Sequence, residues 1–337
     1  IRKMRRLLQS TRSYALLKAE KEENRLNHAY LLIFDDARNL KTALKEFAKI
    51  FFNEERNPFA SERIFELIDA ETFSDCLFFP AEGKKFSVED AEKITEESAL
   101  KPVEGNRKLF VVGDFAEATV QAQNKLLKLL EEPPAGVCFL LGATVTFPVL
   151  PTVLSRAEKL EIPAFSVKEV KACLERMYSV SASDAALYAA ASGGCVGEAQ
   201  NILEGGYYKA LTADAFELAE TDPFRLPALV KRVGETKYKK ELLSLLRLIF
   251  RDALILKTSK INGVSDSGKT GKNRAEKYLM LKSETERLRA ISDYYRLNAL
   301  LSAQEALSEA EKQIRFNGVF PQCLEICMAK ILEQNDR

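Results

Sequence analysis

Three unbroken apolar runs set the frame for this chain: AYLLIF (29–34), KLFVV (108–112) and VCFLLGAT (137–144). A strand with one wet face alternates apolar and polar residues, whereas these runs have no polar face and must be covered on both sides. The stretches between them have helical spacing. LKTALKEFAKIFF (40–52) puts apolar residues at 40, 43, 44, 47, 48 and 51, and VQAQNKLLKLLEE (120–132) is stopped by Pro133-Pro134. Buried strands separated by helices predict an α/β core around a parallel sheet.

The pattern changes after EIPAF (161–165), beyond which no convincing strand follows. SVKEVKACLERMY opens on a Ser cap, and SDAALYAAASGG ends at a glycine pair. Helical spacing then runs through KKELLSLLRLIFRDALILK (239–257), the stretch from Arg274 to about Phe316, and PQCLEICMAKILEQ (321–334). A chain of 337 residues has room for two or three domains. The expected division is an α/β core at 1–162, a small helical domain at 163–208 and an all-α domain at 209–337.

Composition narrows the function classes. The chain is 46% hydrophobic and 29% charged, as in soluble globular proteins, and a net charge of +1 argues against a strong nucleic-acid binder acting through overall charge. No apolar run approaches the roughly 20 residues of a membrane span. The N-terminal IRKMRRLLQSTR has five basic residues in twelve but no apolar segment, so it reads as a short surface helix or a DNA-contacting patch rather than a secretory signal. Six cysteines are scattered without a C-x-x-C pair, and His28 is the only histidine, so no metal site is expected. Reduced thiols and no export signal point to the cytoplasm.

Two segments compete as nucleotide loops. GVSDSGKT (263–270) satisfies the phosphate-loop formula G-x-x-x-x-G-K-[ST], but KELLSLLRLIFRDALILKTSKIN before it is helical and carries Arg247, Arg251 and Asp252. A working loop needs a buried strand before it and a helix after it, so 263–270 reads as a connection between helices. The place with the right context is DDARNLKT (35–42), directly after AYLLIF. It keeps Lys41 and Thr42 but has no glycine. Asp35 and Asp36 put negative charge where phosphates would lie, while Arg38 and Asn39 put side chains where backbone must approach closely. Lys41 and Thr42 also suit the first turn of any helix. After the second run, Gly113 stands where a metal-binding acid would be expected, and Asp114 reads as a capping or surface acid, or as a lone catalytic one.

Residues 121–162, QAQNKLLKLLEEPPAGVCFLLGATVTFPVLPTVLSRAEKLEI, resemble the AAA+ clamp-loader subunits of bacterial DNA polymerase III. Their features are a helix ending in L-E-E-P-P, a strand ending in a sensor Thr, and then L-P-x-x-x-S-R-C. Here the Thr is Thr144 and the last motif reads LPTVLSRA (150–157), with Ala157 in place of Cys. The likeness extends to NRLNHAYLL (24–32), to the K-P-x-x-G turn before KLFVV, to the lid segment GGCVGEAQNIL, and to FRDALILK and IRFNGVFPQCLEIC in the collar helices. The four-Cys zinc module of many members has no counterpart in NEERNPFASERIFEL.

The departures match the family's delta-prime kind, whose members can lack a working nucleotide site. The positions of the phosphate loop, the acidic pair and the lid Arg hold DDARNLKT, Gly113-Asp114 and Glu198. The resemblance therefore implies a subunit with no activity, nucleotide or cofactor of its own. It also implies that Arg156, with Ser155, acts as an arginine finger on a neighbour's nucleotide, the alternative being a structural Arg paired with a carboxylate. Thr144 becomes a strand-end hydroxyl rather than a sensor. The implied partners are gamma/tau-like ATPases, a delta-like subunit, the sliding clamp and primed DNA, with no membrane. An ATP-hydrolysing gamma/tau-like subunit, a stand-alone NTPase with a remodelled loop, and a DNA-binding module using the basic N-terminus are the alternatives.

Overall fold

The computed structural model describes residues 2–53, 58–261, 275–316 and 318–336, so the 263–270 loop lies outside the described residues. The chain divides into two compact units. The first comprises residues 1–165 with Cys195–Glu198, and the second comprises Ser166–Gly194 and the rest.

The three apolar runs are the central strands of the first unit: β1 (Ala29–Phe34), β3 (Lys108–Asp114) and β4 (Val137–Ala143). Two further strands, β2 (Cys76–Phe79) and β5 (Glu158–Ile162), form the edges. The sheet is wholly parallel in the order β2-β3-β4-β1-β5. The fold class read from the sequence is therefore the one observed, a parallel α/β core followed by helices. Side chains from Leu31, Phe110, Val112, Phe139 and Leu141 fill one apolar cluster with Ile94 of helix α5 (Val88–Ser98) and Leu126 of α6 (Val120–Glu131). Full burial of such side chains is worth about 1.5–3 kcal/mol each, which is why unbroken apolar strands hold the centre.

Helix α3 (Leu40–Phe52) follows β1 and packs closely on the sheet. Gly142 of β4 makes that approach feasible, since a Cβ there would lie 2.8 Å from a Leu44 methyl. The basic N-terminal stretch is helical as α1 (Arg2–Gln9), with Met4 and Leu8 buried and Arg6 exposed, so it is an amphipathic element. Helix α2 (Arg12–Glu22) is capped by the Thr11 hydroxyl, and α4 (Pro58–Asp69) occupies the stretch without cysteines.

Two edge features fix the loops around the sheet. Asp75 is fully buried and accepts the backbone N–H groups of Val103, Glu104 and Gly105 at 2.6–2.9 Å, which pins the K-P-x-x-G turn ahead of β3. Gly113 is the extra residue where β3 slips register against β4, between the pairs Val112–Leu141 and Asp114–Gly142.

The described part of the second unit is all helix. It opens with Val167–Met177, where Ser166 and Glu169 form a reciprocal capping box, and Ala182–Ala191. Its apolar core is built chiefly from Lys239–Ile261, Leu297–Arg315 and Phe320–Asp336, with Leu246, Phe250, Leu300, Leu324 and Met328 fully buried. Buried Asp252 ties this core to a turn by accepting the N–H groups of Met280 and Leu281 at 2.7 and 2.9 Å.

Candidate functional site

The two acids that open the turn after β1 have different environments. Asp35 is exposed, whereas Asp36 keeps 1% of its surface. Asp36 Oδ1 accepts the backbone N–H of Asn39 at 3.1 Å. Its Oδ2 accepts the Asn39 side-chain amide at 2.9 Å and the backbone N–H of Gly197 at 2.8 Å. A carboxylate buried without partners would be strongly disfavoured, and these charge-assisted bonds offset the loss of water. Gly197 must be glycine here, because a Cβ would sit 2.1 Å from Asp36 Oδ1 and 2.9 Å from Arg38 Cβ.

The rest of the turn lacks the shape of a phosphate cradle. No residue from 35 to 42 has a positive φ, the conformation that glycines supply in such loops. Asn39 stands at the N-cap of α3 without a capping bond from its side chain, which is turned to Asp36. Lys41 Nζ lies 2.7 Å from Glu71 Oε1 and shares that oxygen with Lys45 Nζ, also at 2.7 Å. Partial burial would raise the Glu71 pKa, but the two ammonium groups outweigh it and hold the carboxyl below its ordinary value. Thr42 is half-buried and Arg38 exposed, both beside this self-satisfied turn. The residues present do not fit a bound triphosphate: a buried carboxylate already takes the Asn39 and Gly197 N–H groups, no glycine opens the turn, and the lysine is directed to Glu71.

The ends of β3 and β4 are tied to each other. Asp114 Oδ1 accepts the N–H of Ala116 at 3.2 Å, capping a short 3-10 turn (Phe115–Glu117), and accepts the N–H of Thr144 at 3.2 Å. Asp114 Oδ2 accepts the Thr144 hydroxyl at 2.8 Å. The Thr144 hydroxyl is therefore committed to a carboxylate at the strand ends. A Cβ on Gly113 would meet Phe79 O at 3.5 Å and Pro80 Cδ at 3.6 Å, ordinary contacts, so packing does not forbid a side chain there.

Arg156 lies just past helix α7 (Pro151–Leu154), anchored by buried Val153 and Ala157 on either side. Its Nη1 donates to the Thr152 carbonyl at 2.7 Å and to Ser155 Oγ at 3.3 Å, while Nη2 pairs with the Glu131 carboxylate at the end of α6. The Arg156 side chain is 31% exposed and that of Glu131 49%. The guanidinium is thus half-buried, oriented by its own helix end and neutralised by one acid that faces solvent.

A cleft of about 880 Å³ lies elsewhere in this unit, among α1 to α4, and shares no residue with the 35–42 turn. Its floor is a closed set of charges: Arg5 and Lys49 against Glu46 and Asp69, at 2.6–3.1 Å. Burial first, then the Glu46 carboxylate, pushes the Tyr14 hydroxyl beside it up to about 12. Among the described residues no group of three or more His, Cys, Asp or Glu is placed to hold a metal ion, and no helix is long and apolar enough to cross a membrane.

Sequence reasoning did not single out Glu71, Gly197 or Glu131, the partners of Lys41, Asp36 and Arg156. Gly197 left one signal, a glycine in the first turn of the helix Val196–Gly205, where close backbone approach is the usual reason. Glu71 left none, since surface acids are common, and Glu131 stood in the L-E-E-P-P stretch with no role attached to it.

Residues 9–166 match the family model described as DNA polymerase III, delta subunit. Over 154 residues, 44% of this chain, the sequence is 30% identical to the DNA polymerase III subunit tau/gamma of Haemophilus influenzae. That match spans 22% of the relative's length. It is 27% identical over 152 residues to the DNA polymerase III subunit delta' of Bacillus subtilis, spanning 44% of this chain and 46% of the relative. The chain thus aligns with less than half the length of either relative. A solved DNA polymerase III gamma subunit-related protein from Thermotoga maritima aligns over 95% of this chain and 99% of its own, at 18% identity and a TM-score of 0.40.

Proposed function

We propose, from the premise that residues 9–166 are a module of the DNA polymerase III clamp-loader family, that this protein is a non-hydrolysing, delta-prime-like subunit of a clamp-loader ring. One observation carries the reading. Where a bound nucleotide's phosphates would take up the N–H groups after β1, the chain places its own buried carboxylate, Asp36.

Such a subunit contributes to ATP-dependent chemistry only in trans. Arg156 is the residue suited to it. A guanidinium stays charged and offers a planar donor fork that matches a phosphate. Glu131 is its resting partner, and a neighbour's γ-phosphate, with more charge and more acceptor oxygens, would displace it. Ser155 and the Thr152 carbonyl keep the fork oriented meanwhile. An arginine in this role stabilises charge on the transferring phosphoryl group and couples the neighbour's nucleotide to ring geometry.

The partners on this reading are gamma/tau-like ATPases, a delta-like subunit, the sliding clamp and primed DNA, in the cytoplasm. Residues 163–208 would serve as the lid and 209–337 as a collar packing on like domains. The second reading, an ATP-hydrolysing gamma/tau-like subunit, draws on the 30% identity to the Haemophilus influenzae protein. Reconstitution with candidate ATPase subunits separates the two. The proposed subunit joins the ring and supports loading while contributing no ATPase alone. ATP turnover by the purified chain would favour the second reading.

A further inference from the structure

Resting on the reading that the turn after β1 holds no nucleotide, we propose that Asp36 is a built-in anchor: its carboxylate takes the part of a bound phosphate and holds residues 195–198 on the α/β core whatever nucleotide is present. The first N–H groups of a helix have no partner within it and favour an anion, whether a phosphate or a side chain. The N–H of Gly197, in the first turn of Val196–Gly205, is satisfied here by Asp36 Oδ2 at 2.8 Å. The same carboxylate holds the turn after β1 through both nitrogens of Asn39. A phosphate in a nucleotide loop bridges the same kinds of donor, but only while it is bound. Ligand-held contacts strengthen with the logarithm of ligand concentration. An anchor that belongs to the chain has no such dependence.

Shape supports the assignment as well as charge. Asp36 is buried, and Gly197 leaves no room for any larger residue against it. The neighbouring Cys195 feels the same group. Burial first, then the Asp36 carboxylate, pushes its thiol up to about 12, and its Sγ accepts the Glu198 N–H at 3.5 Å. Cys195 is therefore a slow-reacting thiol whose alkylation reports on the anchor.

The test compares the full chain with its Asp36→Ala and Asp36→Asn variants by hydrogen exchange and by iodoacetamide alkylation followed by mass spectrometry. In the wild type, peptides covering 195–198 should be protected equally with and without Mg-ATP. Asp36→Ala should speed their exchange about tenfold or more, and by more than it speeds strand peptides from β1 and β4. Cys195 alkylation should rise severalfold. Asp36→Asn keeps one acceptor and should fall between, and it decides by the same criterion if the alanine variant does not fold. Unchanged protection at 195–198 in the variants overturns the anchor, as does an equal rise throughout the first unit. Saturable Mg-ATP binding by the wild type overturns instead the reading beneath it.

Discussion

The turn after β1 and the end of α7 lie in the same α/β unit yet are built in opposite ways. At the first, a carboxylate with 1% exposure is satisfied by three N–H bonds and sealed by a glycine that admits no side chain. At the second, a half-exposed guanidinium is held by two helix-end oxygens and one solvent-facing acid. The first region is expensive to open, and its carboxylate already takes the Asn39 and Gly197 N–H groups. The second can exchange its acid for another anion at little cost, because exposed ion pairs contribute about 0–1 kcal/mol. The proposed subunit, closed in cis and available in trans, requires this distribution of buried and exposed charge.

The comparison breaks most sharply at Arg156. Arg156→Ala should lower hydrolysis at the one neighbouring site by up to about 10³-fold, and overall loader turnover by less, since other sites keep their own arginines. Arg156→Lys should rescue poorly, because a point charge does not reproduce the planar fork. The melting temperature of the isolated protein should move by no more than a few degrees. A large fall in that temperature with reconstituted ATPase untouched would make Arg156 a structural residue, the alternative left open by its pairing with Glu131.

Asp36 should show the reverse profile. Asp36→Ala removes the carboxylate from the Gly197 N–H and the Asn39 side-chain amide, while the Asn39 N–H keeps the Asp36 carbonyl at 3.0 Å, and should cost about 1–3 kcal/mol, read as lower midpoints in urea. A change below about 0.5 kcal/mol would mean that the turn does not depend on its internal carboxylate.

Smaller effects sharpen the picture. Glu131→Gln should leave stability within about 1 kcal/mol and keep loader ATPase at or above the wild-type level, since it frees the guanidinium. Lost ATPase in that variant would mean that Glu131 orients the finger rather than parking it. Lys41→Ala should be smaller still at neutral pH, a few tenths of a kcal/mol for a partly exposed pair. The Glu71 pKa is depressed in the folded state, so the pair's contribution is present above the ordinary carboxylate value of 4.5 and is lost as pH falls through the folded value. Thermal melts of wild type and Lys41→Ala should therefore converge on acidification below that value, and curves that stay parallel would exclude the Lys41–Glu71 pair as their cause.

Much of this was legible in the sequence where burial is continuous. AYLLIF, KLFVV and VCFLLGAT are β1, β3 and β4 because only a doubly covered strand tolerates six or so apolar residues in a row. LKTALKEFAKIFF spans α3 end to end. The edge strands were not legible. CLFF is an apolar run of only four residues, too short to tell a strand from a piece of helix, and EKLEI alternates charged and apolar residues with one side toward water. The stretch from Arg274 to Phe316 read as one long helical pattern, but its described part breaks at Tyr295-Arg296 between Thr285–Tyr294 and Leu297–Arg315. Tyr295 is fully buried there, which periodicity alone does not distinguish from a residue inside a helix. At the site, missing glycines and Gly113 pointed to a lost cradle, but both acids of the turn read alike. Only the fold separates exposed Asp35 from buried Asp36, because the partner that buries Asp36 is Gly197, 161 residues away.

Titration calorimetry of the isolated protein with Mg-ATP tests the central claim most directly. The account predicts no heat of saturable binding at physiological ATP concentrations, in the wild type and in Lys41→Ala alike. Saturable micromolar binding that disappears in Lys41→Ala would place a working nucleotide site at 35–42 and contradict the claim that this subunit is closed in cis.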